Sequence, residues 1–183
     1  MKRNLFAGCL LQVSVVLLAA VIHSGSVAFT MTGITADEQY NIDYDRVQEI
    51  IAITQPAARA QRMVDLFKDR KGMDRSLQDY VDHRFIVDLE ALSKQGNHAA
   101  VKRLGERVVE LRPLFGEVYF FYGMALRQEK LTEAALNAFA KGHLIRNIYQ
   151  ERSKQQLDLL YRNTHGSLVG IDKVISQARK ELQ

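Results

Sequence analysis

Two stretches of this chain, one starting at Phe85 and the other at Tyr119, align with each other at a fixed shift. A constant period of this kind, about 34 residues, confines a chain to a stack of similar units. In the second stretch Tyr119, Tyr122, Gly123 and Leu126 recur at helical spacing, followed by Ala135 and Phe139. In the first, Phe85, Leu89 and Leu92 are followed by Gly96, Val101, Val108 and Pro113. Each stretch reads as two amphipathic helices that cannot bury their apolar faces alone, so neighbouring units must stack. From Asp37 onward the apolar residues keep the helical period and no segment alternates strictly as a half-buried strand does. The expected fold class is therefore all-α.

Weaker signals extend the stack in both directions. Val47, Ile50 and Ile51 are separated by Gln55 and Pro56 from Met63, Val64 and Phe67. Proline suits the first turn of a helix and disfavours helix in the residue before it, so a first hairpin breaks there. Gly72 marks the next turn, and a long helix is expected over about residues 77–95. A third copy reads as Leu157, Leu160 and Tyr161, then Gly166 and Ser167 as turn and N-cap, then Leu168, Ile171, Ile175 and Ala178. It carries about two extra residues before its turn.

The order in the second stretch matches W-x2-L-G-x2-Y followed by A-x3-F, with aromatic and aliphatic replacements, and so resembles the tetratricopeptide repeat (TPR) family. Three positions depart from it: Gly105 stands where the second helix usually carries an aromatic, Lys130 replaces the turn glycine, and Asn147 replaces the closing proline. The resemblance covers residues 77–182 well and the first hairpin poorly. It implies a short right-handed α-solenoid of stacked antiparallel helical hairpins at 37–70, 77–111, 114–147 and 148–182. The expected layout is a degenerate hairpin over 37–72 and TPR-like repeats over 77–183. The last hairpin is made polar on one side by Ser153, Lys154, Gln155, Gln156, Gln177, Arg179, Lys180 and Glu181, as a terminal capping unit requires.

Residues 1–28 are of another kind. Lys2 and Arg3 precede an apolar run at 5–22 (LFAGCLLQVSVVLLAAVI), and Ser26, Val27 and Ala28 place small residues where a signal peptidase reads. A secretory signal peptide cut before Phe29 is expected, with an uncleaved anchor over 5–22 as the alternative. Residues 6–9 (FAGC) superficially resemble a lipoprotein box, but Cys9 precedes most of the apolar run instead of following it. Residues 29–36 (FTMTGITA) form an uncharged, flexible lead.

Composition narrows the chemistry. The chain holds 25 Lys plus Arg against 21 Asp plus Glu; Lys2 and Arg3 belong to the N-terminal segment, leaving 23 against 21 beyond it. Without a basic block downstream there is no phosphate-tracking stripe, so nucleic acid is not an expected partner. Loss of the signal would also remove the single Cys, leaving no disulfide, thiol nucleophile or thiolate ligand. His83, His98, His143 and His165 lie far from one another in sequence, and neither a metal motif, G-x-S-x-G, nor a glycine-rich phosphate loop occurs. No catalytic residue, metal ligand or cofactor is assigned. Asp74, Asp79, Asp82 and Asp88 read as a solvated helix face.

Four consecutive aromatics, Tyr119 to Tyr122, turn by about 100° per residue and cannot all face one core. Tyr119, Tyr122 and Leu126 take the repeat's packing positions. The resemblance then puts Phe120 and Met124, with Ile86 and Glu90 one repeat earlier, on the concave face. A groove of Ile86, Phe120 and Met124, rimmed by Glu90, Lys94, Arg127 and Arg162, would accept an apolar peptide segment or helix. The same residues would also serve as core beneath another segment. The clamp by which some TPR domains hold acidic chaperone tails needs Lys and Asn at these positions, which this chain lacks. The expected function is a non-enzymatic protein-binding adaptor or scaffold of the cell envelope, exported and periplasmic. Its partner is another protein or peptide segment, and the membrane is met only through an uncleaved N-terminal segment. Two alternatives stand beside it: a small-ligand or enzymatic helical domain completed by His83, His98 or a carboxylate, and a membrane-tethered structural subunit.

Overall fold

The structure, a computed structural model, describes residues 35–69 and 72–183. The expected signal or anchor, Cys9 and most of the 29–36 lead lie outside the described residues. The described residues form eight helices and no strand: α1 Ala36–Ile51, α2 Pro56–Lys68, α3 Arg75–Lys94, α4 His98–Leu111, α5 Gly116–Gln128, α6 Thr132–Leu144, α7 Gln150–His165 and α8 Ile171–Glu181.

Local chemistry sets several of these boundaries. Thr35 and Glu38 close a capping box at α1, the threonine hydroxyl accepting from the Glu38 amide and the Glu38 carboxylate accepting from the Thr35 amide. Helix formation thus begins inside the expected lead. Pro56 occupies the first turn of α2, and Asp74 and Asn97 cap α3 and α4 through their side chains. Gly96 takes the left-handed conformation after α3, at φ +71°. Its counterpart in the next unit, Lys130, takes the same conformation at φ 62° despite its side chain. Asn147 orders the turn before α7 through its side chain: its Nδ2 donates to the carbonyls of Gly142 and Ile145, and its Oδ1 accepts from the Tyr149 amide.

Odd and even helices pack in alternation. α3 touches α5 and α5 touches α7, α2 touches α4 and α6 touches α8, and α4 and α6 each lie against the following odd helix. One core cluster centres on Met63, Leu66, Phe85, Leu89, Leu92 and Leu104, and a second on Leu126, Leu136, Phe139 and Leu157. Phe120 and Val109 pack against both.

Glycine marks three helix contacts. A Cβ on Gly105 would lie 2.9 Å from Tyr122 Cβ, one on Gly123 2.7 Å from the Phe139 ring, and one on Gly142 2.7 Å from Ser153 Oγ. The space beside Gly105 is taken by Tyr122, reaching in from the next helix. Ser153, expected on a polar outer side, is instead fully buried against Gly142, where little space remains for a larger side chain.

The last unit departs further from its expected register. Ser167 is not the N-cap of α8: Gly170 is, Leu168 precedes the helix, and Ser167 Oγ accepts from the Val169 amide. The step from the start of α6 at Thr132 to the start of α8 at Ile171 exceeds one repeat, because α7 runs on to His165 and a turn follows. α8 is fastened to α6 by Glu181, which accepts from Asn137 Nδ2 and Gln177 Nε2 and pairs with Lys141 Nζ at 2.8 Å. These hydrogen bonds hold its carboxyl down to about 2.

The aspartates of α3 do not form a solvated face. Asp88 is wholly buried and receives Nε and Nη2 of the buried Arg59 at 2.8 and 2.6 Å, while Arg59 Nη1 donates to the Ile53 carbonyl. Asp82 is half-buried and receives both Nη atoms of Arg112. A carboxylate tolerates such burial because a guanidinium meets both of its oxygens. Asp74 caps α3, and only Asp79 is simply exposed.

Candidate functional site

The candidate groove residues sit on the row of odd helices, in unequal exposure. Ile86 on α3 is 6% exposed, forming part of the first core cluster. Glu90 is half-buried and pairs with the exposed Lys94 one turn on, Nζ to Oε1 at 2.8 Å. Phe120 and Met124 on α5 are half-buried. Phe120 is covered on one face by Tyr149, the rings stacked at 5.0 Å between centroids and 14° between planes. Phe121 meets the same Tyr149 ring edge-on at 5.0 Å. Arg127 donates to Gln156 Oε1 on α7, and Arg162 is exposed near the end of that helix.

Phe120 is therefore roofed by the residue that precedes α7. Burial pushes the Tyr149 phenol up; Glu90 and Glu117 push the same way, against Arg152 and Lys94. The Tyr119 phenol, on the other side of α5, is pushed up to about 12, first by burial and then by Glu181 and Tyr122. Its hydroxyl donates to the Pro113 carbonyl at 3.0 Å. Both phenols stay neutral across the physiological range.

Open space lies beside this roof. A cleft of about 770 Å³ has Ile86 on its lining together with Arg75, Asp79 and His83 of α3, the turn before α5 and the turn before α7. Its apolar lip is made by Leu114, 68% exposed, and Ile148, 80% exposed. These two residues stand one repeat apart, and Tyr80, one repeat before Leu114, is 44% exposed. Isolated exposed apolar residues are common on proteins; Leu114 and Ile148 are a pair, each in the turn before an odd helix and both on the lining of one cleft. Ile86 alone of the candidate groove residues lines this cleft. Leu114, Ile148 and Arg146 were missed in the sequence because they lie in turns, outside the helical periodicity that located the groove. The common register of Leu114 with Ile148, and of Arg112 with Arg146, was the signal that pointed to them.

His83, His98, His143 and His165 lie on four different helices. His83 lines the cleft, His98 starts α4, and His165 stacks on Tyr161 at 4.1 Å while its Nδ1 lies 3.1 Å from the Tyr161 carbonyl. Among the described residues no three His, Cys, Asp or Glu side chains are grouped to hold a metal ion, and no helix is long and apolar enough to cross a membrane. Compared with protein-family models, curated proteins and solved structures, the chain matches none.

Proposed function

We propose that this chain is a non-enzymatic adaptor of the cell envelope, a short right-handed TPR-like solenoid that binds a partner protein along its row of odd helices. The unbroken series of contacts along the odd helices, α1 with α3, α3 with α5 and α5 with α7, supports a stack of hairpins. So does the repeat register shared by the Gly96 and Lys130 turns. Fold alone carries no function. The observation that carries the reading is the pair Leu114 and Ile148, held exposed at the same repeat position on the lip of one cleft. An apolar side chain kept in solvent by successive units has surface to bury against another molecule, about 25 cal/mol for each Å² covered.

Export follows from the sequence of residues 1–28 and belongs to the same proposal. Affinity purification of the full chain from native envelope extract tests it, with partner stoichiometry and metal content read from one sample. A stoichiometric protein partner and no metal retained after dialysis is the expected result. A chain that comes out alone with a bound metal would point to the enzymatic or small-ligand class. N-terminal sequencing should give Phe29, and an intact Met1 in a detergent-requiring fraction would support the tethered subunit.

A further inference from the structure

Resting on that adaptor reading, we propose that the cleft takes an apolar segment of the partner bearing a single carboxylate, which Arg146 grips while Leu114 and Ile148 pack on its neighbours. The repeat itself supplies the reasoning. In one unit Arg112 forks onto Asp82, Nη2 to Oδ2 at 2.6 Å, with its guanidinium 4.2 Å from the Phe115 ring centre. Arg146 is the counterpart of Arg112 in the next unit, and the counterpart of Asp82 is Gly116. The arginine is kept and its carboxylate is gone. No side chain at 116 restores it, because a Cβ there would fall 2.5 Å from Asn147 Nδ2. Arg146 lines the cleft, is exposed, and among the described residues has no hydrogen-bond or ion-pair partner.

The remaining charges shape the ligand. Asp79 and Glu117 also line the cleft, and neither pairs with Arg146. They repel a run of acidic residues, so the complementary segment carries one carboxylate between apolar side chains. Arg75, which likewise has no partner among the described residues, adds a second cation on the α3 side. The volume suits a few side chains rather than a whole helix.

The test uses the full chain and two capped peptides, GSLELSG and GSLKLSG, followed by amide chemical shifts in nuclear magnetic resonance, a method that reads millimolar binding. The Glu peptide should shift amides at 114–118 and 146–149 and bind at least about tenfold more tightly than the Lys peptide. Arg146→Glu should reverse that order, and Ile148→Ser should weaken both. Both substitutions are at exposed positions, so an unchanged spectrum elsewhere reports an intact fold. Equal binding of the two peptides, binding of neither, or a preference that survives Arg146→Glu overturns the proposal. If these peptide results fail while the chain still captures a stoichiometric envelope partner, the cleft assignment falls and the adaptor reading stands. If neither peptide nor partner binds, both fall.

Discussion

Gly123 of α5 lies directly on the ring of Phe139 of α6, so close that a Cβ added to the glycine would sit 2.7 Å from Cε1. Phe139 is wholly buried and has little room to retreat. Gly123→Ala should destabilise the protein by about 1–3 kcal/mol through overpacking, and Phe139→Ala by about 3–5 kcal/mol through the cavity it leaves. Combining Gly123→Ala with Phe139→Leu should recover part of the first loss. Denaturant unfolding of these variants and of Phe139→Leu alone checks this, and strict additivity of Gly123→Ala with Phe139→Leu would mean that the two residues do not share one space.

Arg59 and Asp88 join α2 to α3, the carboxylate fully buried and the guanidinium nearly so. Removing one partner, as in Asp88→Leu or Arg59→Met, should cost about 3–5 kcal/mol because the other charge is left buried. The double change Arg59→Met with Asp88→Leu should cost much less than the sum. A double-mutant cycle in urea measures it.

Lys130 occupies a backbone conformation that its repeat counterpart fills with Gly96. A side chain in the left-handed region costs roughly 1–2 kcal/mol, offset in part by the greater freedom of glycine in the unfolded chain. Lys130→Gly should raise stability by about 0.5–1 kcal/mol, whereas Lys130→Ala, which keeps the Cβ, should not. Thermal melts of the two variants separate backbone strain from loss of charge.

Phe120 and Tyr149 are stacked, and their coupling should appear as about 0.5–1.5 kcal/mol in a double-mutant cycle to alanine. Phe120→Ala should still cost less than Phe139→Ala, since its ring is only half-buried. A coupling near zero would leave the Phe120 face open to a partner.

The helices were legible wherever apolar residues keep the helical period over several turns, as with Phe85, Leu89 and Leu92 on α3. Pro56 was readable as a helix start because its ring fits the first turn and little else in a helix. The last unit was harder, since Ser167 looks like a cap while the chain places Gly170 there, after Leu168 and Val169 have extended the turn. The aspartates were misread for a related reason. Nothing local to α3 distinguishes Asp88 from Asp79, and what buries Asp88 is Arg59, distant in the chain on α2. Periodicity also led to Ile86, Phe120 and Met124, which are on the helices, and passed over Leu114 and Ile148, which are in the turns.

Capture of a partner by the exposed lip is the central claim, and the double variant Leu114→Ser with Ile148→Ser tests it most directly. Both side chains lie largely in solvent, so the variant should melt within about 2 °C of the parent, in keeping with the small effects of surface substitutions. The two proteins would be used side by side in stoichiometric pull-down from native envelope extract. The account predicts a partner retained by the parent chain and lost by the equally stable variant. A partner held equally well by both would contradict it.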